Sequence, residues 1–256
     1  MSNDIEQDVW ASWRRLTAAR IGLQRSGASL ATGPLLTFQL AHARARDAVH
    51  ESLDAPRLAG DLGGLGLSVL TLASAAQDRQ QYLMRPDLGR RLAEKTTLPA
   101  GGPYDLVIVI ADGLSARAVQ AHAAPVLTEM LPRLADWRVA PIAIVVQGRV
   151  AIGDAVAKAL DAACVAVLIG ERPGLSAPDS MGAYLTWQPG ERTTDAERNC
   201  ISNIRPEGVG IADAVLKIAH LLRAMRQRRI SGVQLKDDSE RAFVATIEAD
   251  KSGSPS

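Results

Sequence analysis

The sequence is poor in the features that mark whole classes of protein. Its two cysteines, Cys164 and Cys200, are too few for a disulfide framework and do not sit at zinc-ligand spacing, which suits a reducing compartment. Charge of one sign is also missing. Lys and Arg number 29 against 28 Asp and Glu, so the formal charge is +1, no net field draws in a polyanion, and nucleic acid is not an expected partner. No stretch approaches the roughly 20 apolar residues that cross a bilayer. The first thirty residues lack a basic patch followed by a continuous apolar run, so no export signal is expected. Self-contained catalytic kits are absent too: there is no G-x-x-x-x-G-K-[ST] loop, no G-x-S-x-G elbow, no H-E-x-x-H helix and no strand followed by G-x-G-x-x-G. The four histidines, His42, His50, His122 and His220, fall on predicted helices without partners at ligand spacing.

What is present points to a packed core. A chain of 256 residues with 47% hydrophobic side chains can bury a sizeable interior. Asn3 and Glu6 form a capping-box pattern ahead of Ile5, Val9, Trp13 and Leu16, which predicts a short docking helix before the break from Gly27 to Gly33. Pro34 opens a second helix with Leu35, Phe38, His42, Ala45, Val49 and Leu53 on one stripe, and His42 is read as a hydrogen-bonded histidine at a core edge. Gly60, Gly63, Gly64 and Gly66 are read as a structural loop entering an extended segment, Ser68 to Ala73, rather than as a phosphate cradle.

From residue 105 strands and helices alternate, the pattern of an α/β fold with an open, mainly parallel sheet and flanking helices, preceded by a mainly helical N-terminal region. Strands are predicted at 105–110 (DLVIVI), 139–146 (VAPIAIVV), 164–169 (CVAVLI) and 183–187. Helices are predicted at 115–135, apart from Pro125 and Pro132, at 151–163 and at 211–228. The expected division is a helical, partner-docking region at 1–97, a sheet domain at 98–235 and a flexible tail at 236–256.

Ligands of such sheets settle beyond the carboxyl ends of the strands. Three exits carry glycine and polar residues: Asp112-Gly113-Leu114-Ser115, Gln147-Gly148-Arg149-Val150 and Gly170-Glu171-Arg172-Pro173-Gly174. Their coincidence predicts one binding rim, with glycines admitting a bulky ligand and Arg149, Glu171 and Arg172 supplying charge-assisted hydrogen bonds. Cys200 lies in RNCISNI among polar neighbours, and by itself reads as a buried structural thiol.

Four segments, YLMRPDLGRRL at 82–92, IADGLSARA at 110–118, GERPGL at 170–175 and RNCISNIRPEG at 198–208, resemble in their order the small subunit of ethanolamine ammonia-lyase. The resemblance covers roughly residues 10 to 235. It implies a Rossmann-like domain that covers part of adenosylcobalamin, and a large barrel subunit that binds ethanolamine and handles the radical. It also implies assembly as a hexamer of heterodimers and a radical route from ethanolamine to acetaldehyde and ammonia. Carried over by motif, the cofactor contacts are Val150, Glu171 and Cys200, with no catalytic residue and no metal ligand in this chain. The expected location is the bacterial cytoplasm. Enclosure in a microcompartment stays open, because some relatives carry a longer N-terminal leader than this chain has. Two rival readings are a stand-alone nucleotide-binding enzyme using the same strand exits, and a scaffold subunit docking through its Trp10 and Trp13 helix with an empty sheet rim.

Overall fold

The structure, a computed structural model, describes residues 10–237. The predicted cap Asn3 and Glu6 and nearly all of the predicted tail lie outside them. The described residues begin with a short helix α1 (Ala11–Arg14) and a two-stranded hairpin, β1 (Arg25–Ser26) and β2 (Ser29–Leu30), turned by Gly27 at φ +61°. Then come α2 (Thr32–His50), α3 (Ala55–Leu62), β3 (Val69–Ala73) and α4 (Arg79–Met84). The alternating part runs β4 (Tyr104–Ala111), α5 (Ala116–Met130), β5 (Ile142–Val146), α6 (Ile152–Ala159), β6 (Ala162–Gly170), β7 (Met181–Trp187), β8 (Asn199–Ile204) and α7 (Ile211–Arg228).

Six strands form one sheet in the order β3-β5-β4-β6-β7-β8. The β3–β5, β5–β4 and β4–β6 pairs are parallel, whereas β6–β7 and β7–β8 are antiparallel. The edge strand β3 therefore comes from upstream of residue 98. The α/β class with an open, mainly parallel sheet matches the sequence reading, which foresaw neither β8 nor the β1–β2 hairpin.

Period-two alternation sorts the core. On β4, Leu106, Ile108 and Ile110 face the layer of α3, α5 and α7, while Val107, Val109 and Ala111 face α6. All six are fully buried, so DLVIVI is continuously apolar because both faces are covered. Each large side chain so buried contributes about 1.5–3 kcal/mol. The antiparallel end differs. There α7 packs on β7 and β8 from one side, whereas on the other α6 packs chiefly on β4 and β6.

Several boundaries moved for local reasons. Helix α5, capped by the Ser115 side chain, runs through Pro125 to Met130 rather than breaking there. Strand β5 starts after Pro141, and Val139 makes only an isolated bridge to Leu106. Helix α6 ends at Ala159, because Asp161 at φ +52° turns the chain into β6. Helix α2 forms as predicted, but its stripe is not absorbed: Ala48 is the buried residue, and Leu35, Leu36, Phe38 and Leu40 are exposed. His42 is likewise exposed and stacks on Phe38, with ring centroids 6.3 Å apart, instead of lining a core edge.

Candidate ligand face and cavity

The three strand exits lie at one end of the sheet, as three parallel neighbours require, and they are bonded to one another. The Asp112 side chain is buried. Its carboxylate accepts the Gly148 N–H at 3.1 Å and pairs with Arg79 at 3.4 Å. Burial pushes its pKa up to about 6, against the opposing pull of Arg79 and backbone N–H groups. The Leu114 N–H donates to the Gly170 carbonyl at 2.9 Å. A Cβ on Gly113 would sit 2.2 Å from that carbonyl, and one on Gly170 would sit 2.0 Å from the Ser115 carbonyl. These two glycines let backbone pack on backbone, which replaces the expected role of admitting a ligand.

Residues 79–92 then close over the exits of β4 and β5. Tyr82 is fully buried, donates its hydroxyl to the Gly148 carbonyl at 3.1 Å, and lies between the guanidinium groups of Arg79 (4.8 Å from the ring centroid) and Arg149 (4.3 Å). The Arg149 N–H donates to Gly89 O at 2.7 Å, and a Cβ on Gly89 would meet the Arg149 side chain at 2.8 Å. The YLMRPDLGRRL segment is thus a lid packed onto the sheet end, and the accessible region lies to the side of it.

That region is the α6 side of the antiparallel edge. Cys200 pairs with Tyr184, and Tyr184 with Val167, so all three side chains share the face on which Gly153 of α6 lies against Val167. Val150 and Tyr184 both pack at the border of the apolar cluster under α6. Glu171 continues β6 on this face. Its carboxylate accepts hydrogen bonds from the Ser180 hydroxyl, from the Ser202 hydroxyl at 2.5 Å and from the Asn203 N–H at 3.1 Å. Gly182 leaves the space for it, since a Cβ there would sit 2.9 Å from Glu171 Oε1. Cys200 is exposed as a residue, not a buried structural thiol. Its thiol lies low enough against Tyr184 that lost solvation pushes its pKa up, with the Tyr184 hydrogen bond opposing and Glu171 reinforcing the rise. Glu171 and Cys200 therefore lie on one face of the sheet, and Val150 borders the apolar cluster on the same side.

Beside them, outside α6, a cavity of about 1070 Å³ opens between residues 86–92 and 190–195 and includes Val150 in its lining. This exceeds the roughly 300–1,000 Å³ of ordinary small-ligand pockets. The wall is braced by Arg198, which donates to both Asp154 oxygens at 2.8 and 2.6 Å and lies 3.2 Å from the Thr186 hydroxyl. Sequence reasoning missed this pair, together with Tyr184, Ser180 and Ser202. Arg198 was within reach, because it precedes Asn199 and Cys200 in a motif already singled out. Among the described residues no group of three His, Cys, Asp or Glu side chains is arranged to hold a metal ion, and no helix is long and apolar enough to cross a membrane.

An open, mainly parallel sheet covered by helices on both faces at its centre, with a large cavity beside it, defines a Rossmann-like α/β fold. Comparison with known sequences is more specific. The family model described as "Ethanolamine ammonia-lyase light chain (EutC)" matches residues 7–236. The chain is 52% identical over 253 residues to the ethanolamine ammonia-lyase small subunit of Xanthomonas campestris pv. campestris (strain ATCC 33913), covering 95% of this chain and 93% of that one. It is 51% identical over 256 residues to the same subunit of Azotobacter vinelandii, covering 96% and 94%. It is 53% identical over 232 residues to that of Rhodopseudomonas palustris (strain BisA53), covering 88% and 89%. The chain belongs to the ethanolamine ammonia-lyase small-subunit family.

Proposed function

We propose that this chain is the small subunit of an adenosylcobalamin-dependent ethanolamine ammonia-lyase, holding one side of the cofactor while a large subunit carries the ethanolamine site. The observation that carries this is the convergence of Val150, Glu171 and Cys200 on the open α6 face, in a chain about half identical to named small subunits. Adenosylcobalamin, when bound, supplies the radical chemistry that takes ethanolamine to acetaldehyde and ammonia.

The chain's own residues bind, orient and exclude water. The Glu171 carboxylate is held by three donors, which fix its direction and leave lone-pair capacity for amide N–H groups, the commonest polar groups on a corrinoid's periphery. Val150 offers apolar surface at the start of α6, and Cys200 a small polarizable thiol whose pKa burial pushes up. No residue of this chain is given a catalytic role.

Docking to the large subunit falls to residues 10–46. This arm exposes Trp10, Trp13, Leu16, Leu36 and Leu40, and between residues 10 and 46 it carries arginines at 14, 15, 20, 25, 44 and 46 with no Asp or Glu. An apolar, arginine-rich surface suits a partner face that is apolar and carries acidic groups. The hexamer of heterodimers rests on the family resemblance alone. The test is co-purification with the large subunit and assay with adenosylcobalamin: turnover requires both chains and the cofactor. Glu171→Ala weakens cobalamin titration while the two chains still co-elute. An unchanged titration overturns the site, and tight NAD or ATP binding by the isolated chain favours the nucleotide-enzyme rival.

A further inference from the structure

The pairing of β7 with β8 contains an irregularity that bears on Glu171. Met181 pairs with Ile204 and Ala183 with Ile201, so Gly182 stands opposite two residues, Ser202 and Asn203. This is a β-bulge, and Asn203 takes the left-handed backbone conformation at φ +60° within it. Ile201 and Ile204 stay in the apolar cluster on the α7 side, while Ser202, two residues beyond Cys200, shares the face of that thiol. The extra residue turns both the Ser202 hydroxyl and the Asn203 N–H onto the Glu171 carboxylate.

The two oxygens of that carboxylate are loaded unequally. Oε2 accepts the Ser180 hydroxyl and the Asn203 N–H at 3.1 Å, which occupy both of its lone pairs. Oε1 accepts only the Ser202 hydroxyl, at 2.5 Å, and keeps one lone pair open. Ser202 has committed its single proton to Oε1, so its own oxygen can only accept. Ser180 is buried and Ser202 exposed, so the edge a ligand can reach consists of Glu171 Oε1 and Ser202 Oγ. Neighbouring donors are engaged elsewhere. The Tyr184 hydroxyl is bonded to Cys200, and the Asn203 amide lies against Gly208, where a Cβ would sit 2.6 Å from its Nδ2. Arg205, the cation just after β8, pairs with Asp179 at 3.0 Å and with Glu207 at 3.3 Å, and Glu171 has no ion-pair partner among the described residues.

Two adjacent acceptors, one of them charged, with no free donor beside them and no balancing cation, suit the N–H groups of a primary amide and repel a carboxylate of the same shape. We propose that Ser202 is a specificity-determining residue: with Glu171 Oε1 it forms an acceptor pair that takes one primary amide of the ligand and rejects the corresponding acid. The inference rests on the cofactor reading above, which supplies a ligand ringed with such amides.

The experiment is equilibrium dialysis of the full chain, co-purified with its large subunit, against cyanocobalamin and against the set of its monocarboxylic acids, in each of which one peripheral amide is replaced by a carboxylate. For one of these acids wild type binds at least about tenfold more weakly than for cyanocobalamin at pH 7, because that acid loses its donated bonds and brings a charge to Glu171. E171Q closes that gap. Two donors still face the Oε2 position, so the substituted side chain sets its oxygen there and its NH2 at the ligand edge, where it donates to the acid. S202A, at an exposed position, narrows the same gap to about threefold, and S202T, which keeps the hydroxyl, restores it. A merely structural serine would instead weaken every corrinoid alike, so a gap left unchanged by S202A overturns the role of Ser202. Acids that all bind wild type as tightly as cyanocobalamin overturn the acceptor pair and leave the cofactor reading in place. Absence of binding by every corrinoid removes the cofactor reading and this inference with it.

Discussion

Removing Arg198 probes the strut between α6 and the antiparallel edge. The Arg198 side chain is 2% exposed and that of Asp154 11%, and two short bonds join them. Replacing Arg198 by Met fills similar volume but leaves Asp154 as a desolvated, unpaired carboxylate, and breaking a buried pair in this way costs about 3–5 kcal/mol. The Thr186 hydroxyl loses its partner as well, while the contact to exposed Asp195 adds little. In the double variant D154N/R198M no charge is stranded, so stability returns to within about 1–2 kcal/mol of wild type. Urea unfolding at pH 7 reads both effects as shifts in the midpoint at constant slope. For a chain of this length the single variant also melts roughly 6–15 °C lower. A single variant that costs less than about 1 kcal/mol, or a double variant as unstable as the sum of its parts, refutes the ion pair as a buried strut.

Three further outcomes follow from the geometry. Asp112 has a folded pKa of about 6 against 3.8 in its ordinary state. As pH rises from about 4 to 6 the unfolded chain ionises first, so wild type loses stability through this window, by at most about 3 kcal/mol. D112N lacks that component, so its stability relative to wild type rises from pH 4 to pH 7, and parallel pH profiles for the two would contradict the assignment. Gly170→Ala drives a Cβ to 2.0 Å from the Ser115 carbonyl and lowers stability by at least about 1–3 kcal/mol in denaturant titration, whereas the open Gly190→Ala does not. L36E on the exposed face of α2 leaves circular dichroism unchanged but reduces co-elution with the large subunit, and full co-elution would remove the arm from the interface.

Val150, Glu171 and Cys200 were singled out because each sits in a distinctive motif, but the strand exits first read as one binding rim are open only in part. Strand exits pointed to Glu171 and Val150, yet the exits of β4 and β5 are sealed by Tyr82, Arg79 and Arg149. Nothing local in residues 79–92 says where they fold back. Tyr184 and Ser202 were invisible as site residues because they reach Cys200 and Glu171 only through antiparallel register. Helix α2 shows the converse: the helix was foreseen, but it buries Ala48 rather than the predicted stripe and leaves Leu35 and Phe38 exposed, and a stripe does not say whether its partner lies within the same chain.

Continuous β-branched runs separated by amphipathic helices determined by themselves that this protein is an α/β sheet covered on both sides at its centre, because only a strand buried on two faces tolerates DLVIVI. Tertiary structure alone decided that β7 and β8 return antiparallel, beyond the strands on which α6 chiefly packs. A hairpin connection needs no covering helix where a parallel one does. That difference, set by pairing across many residues, leaves Glu171 and Cys200 facing outward beside the cavity.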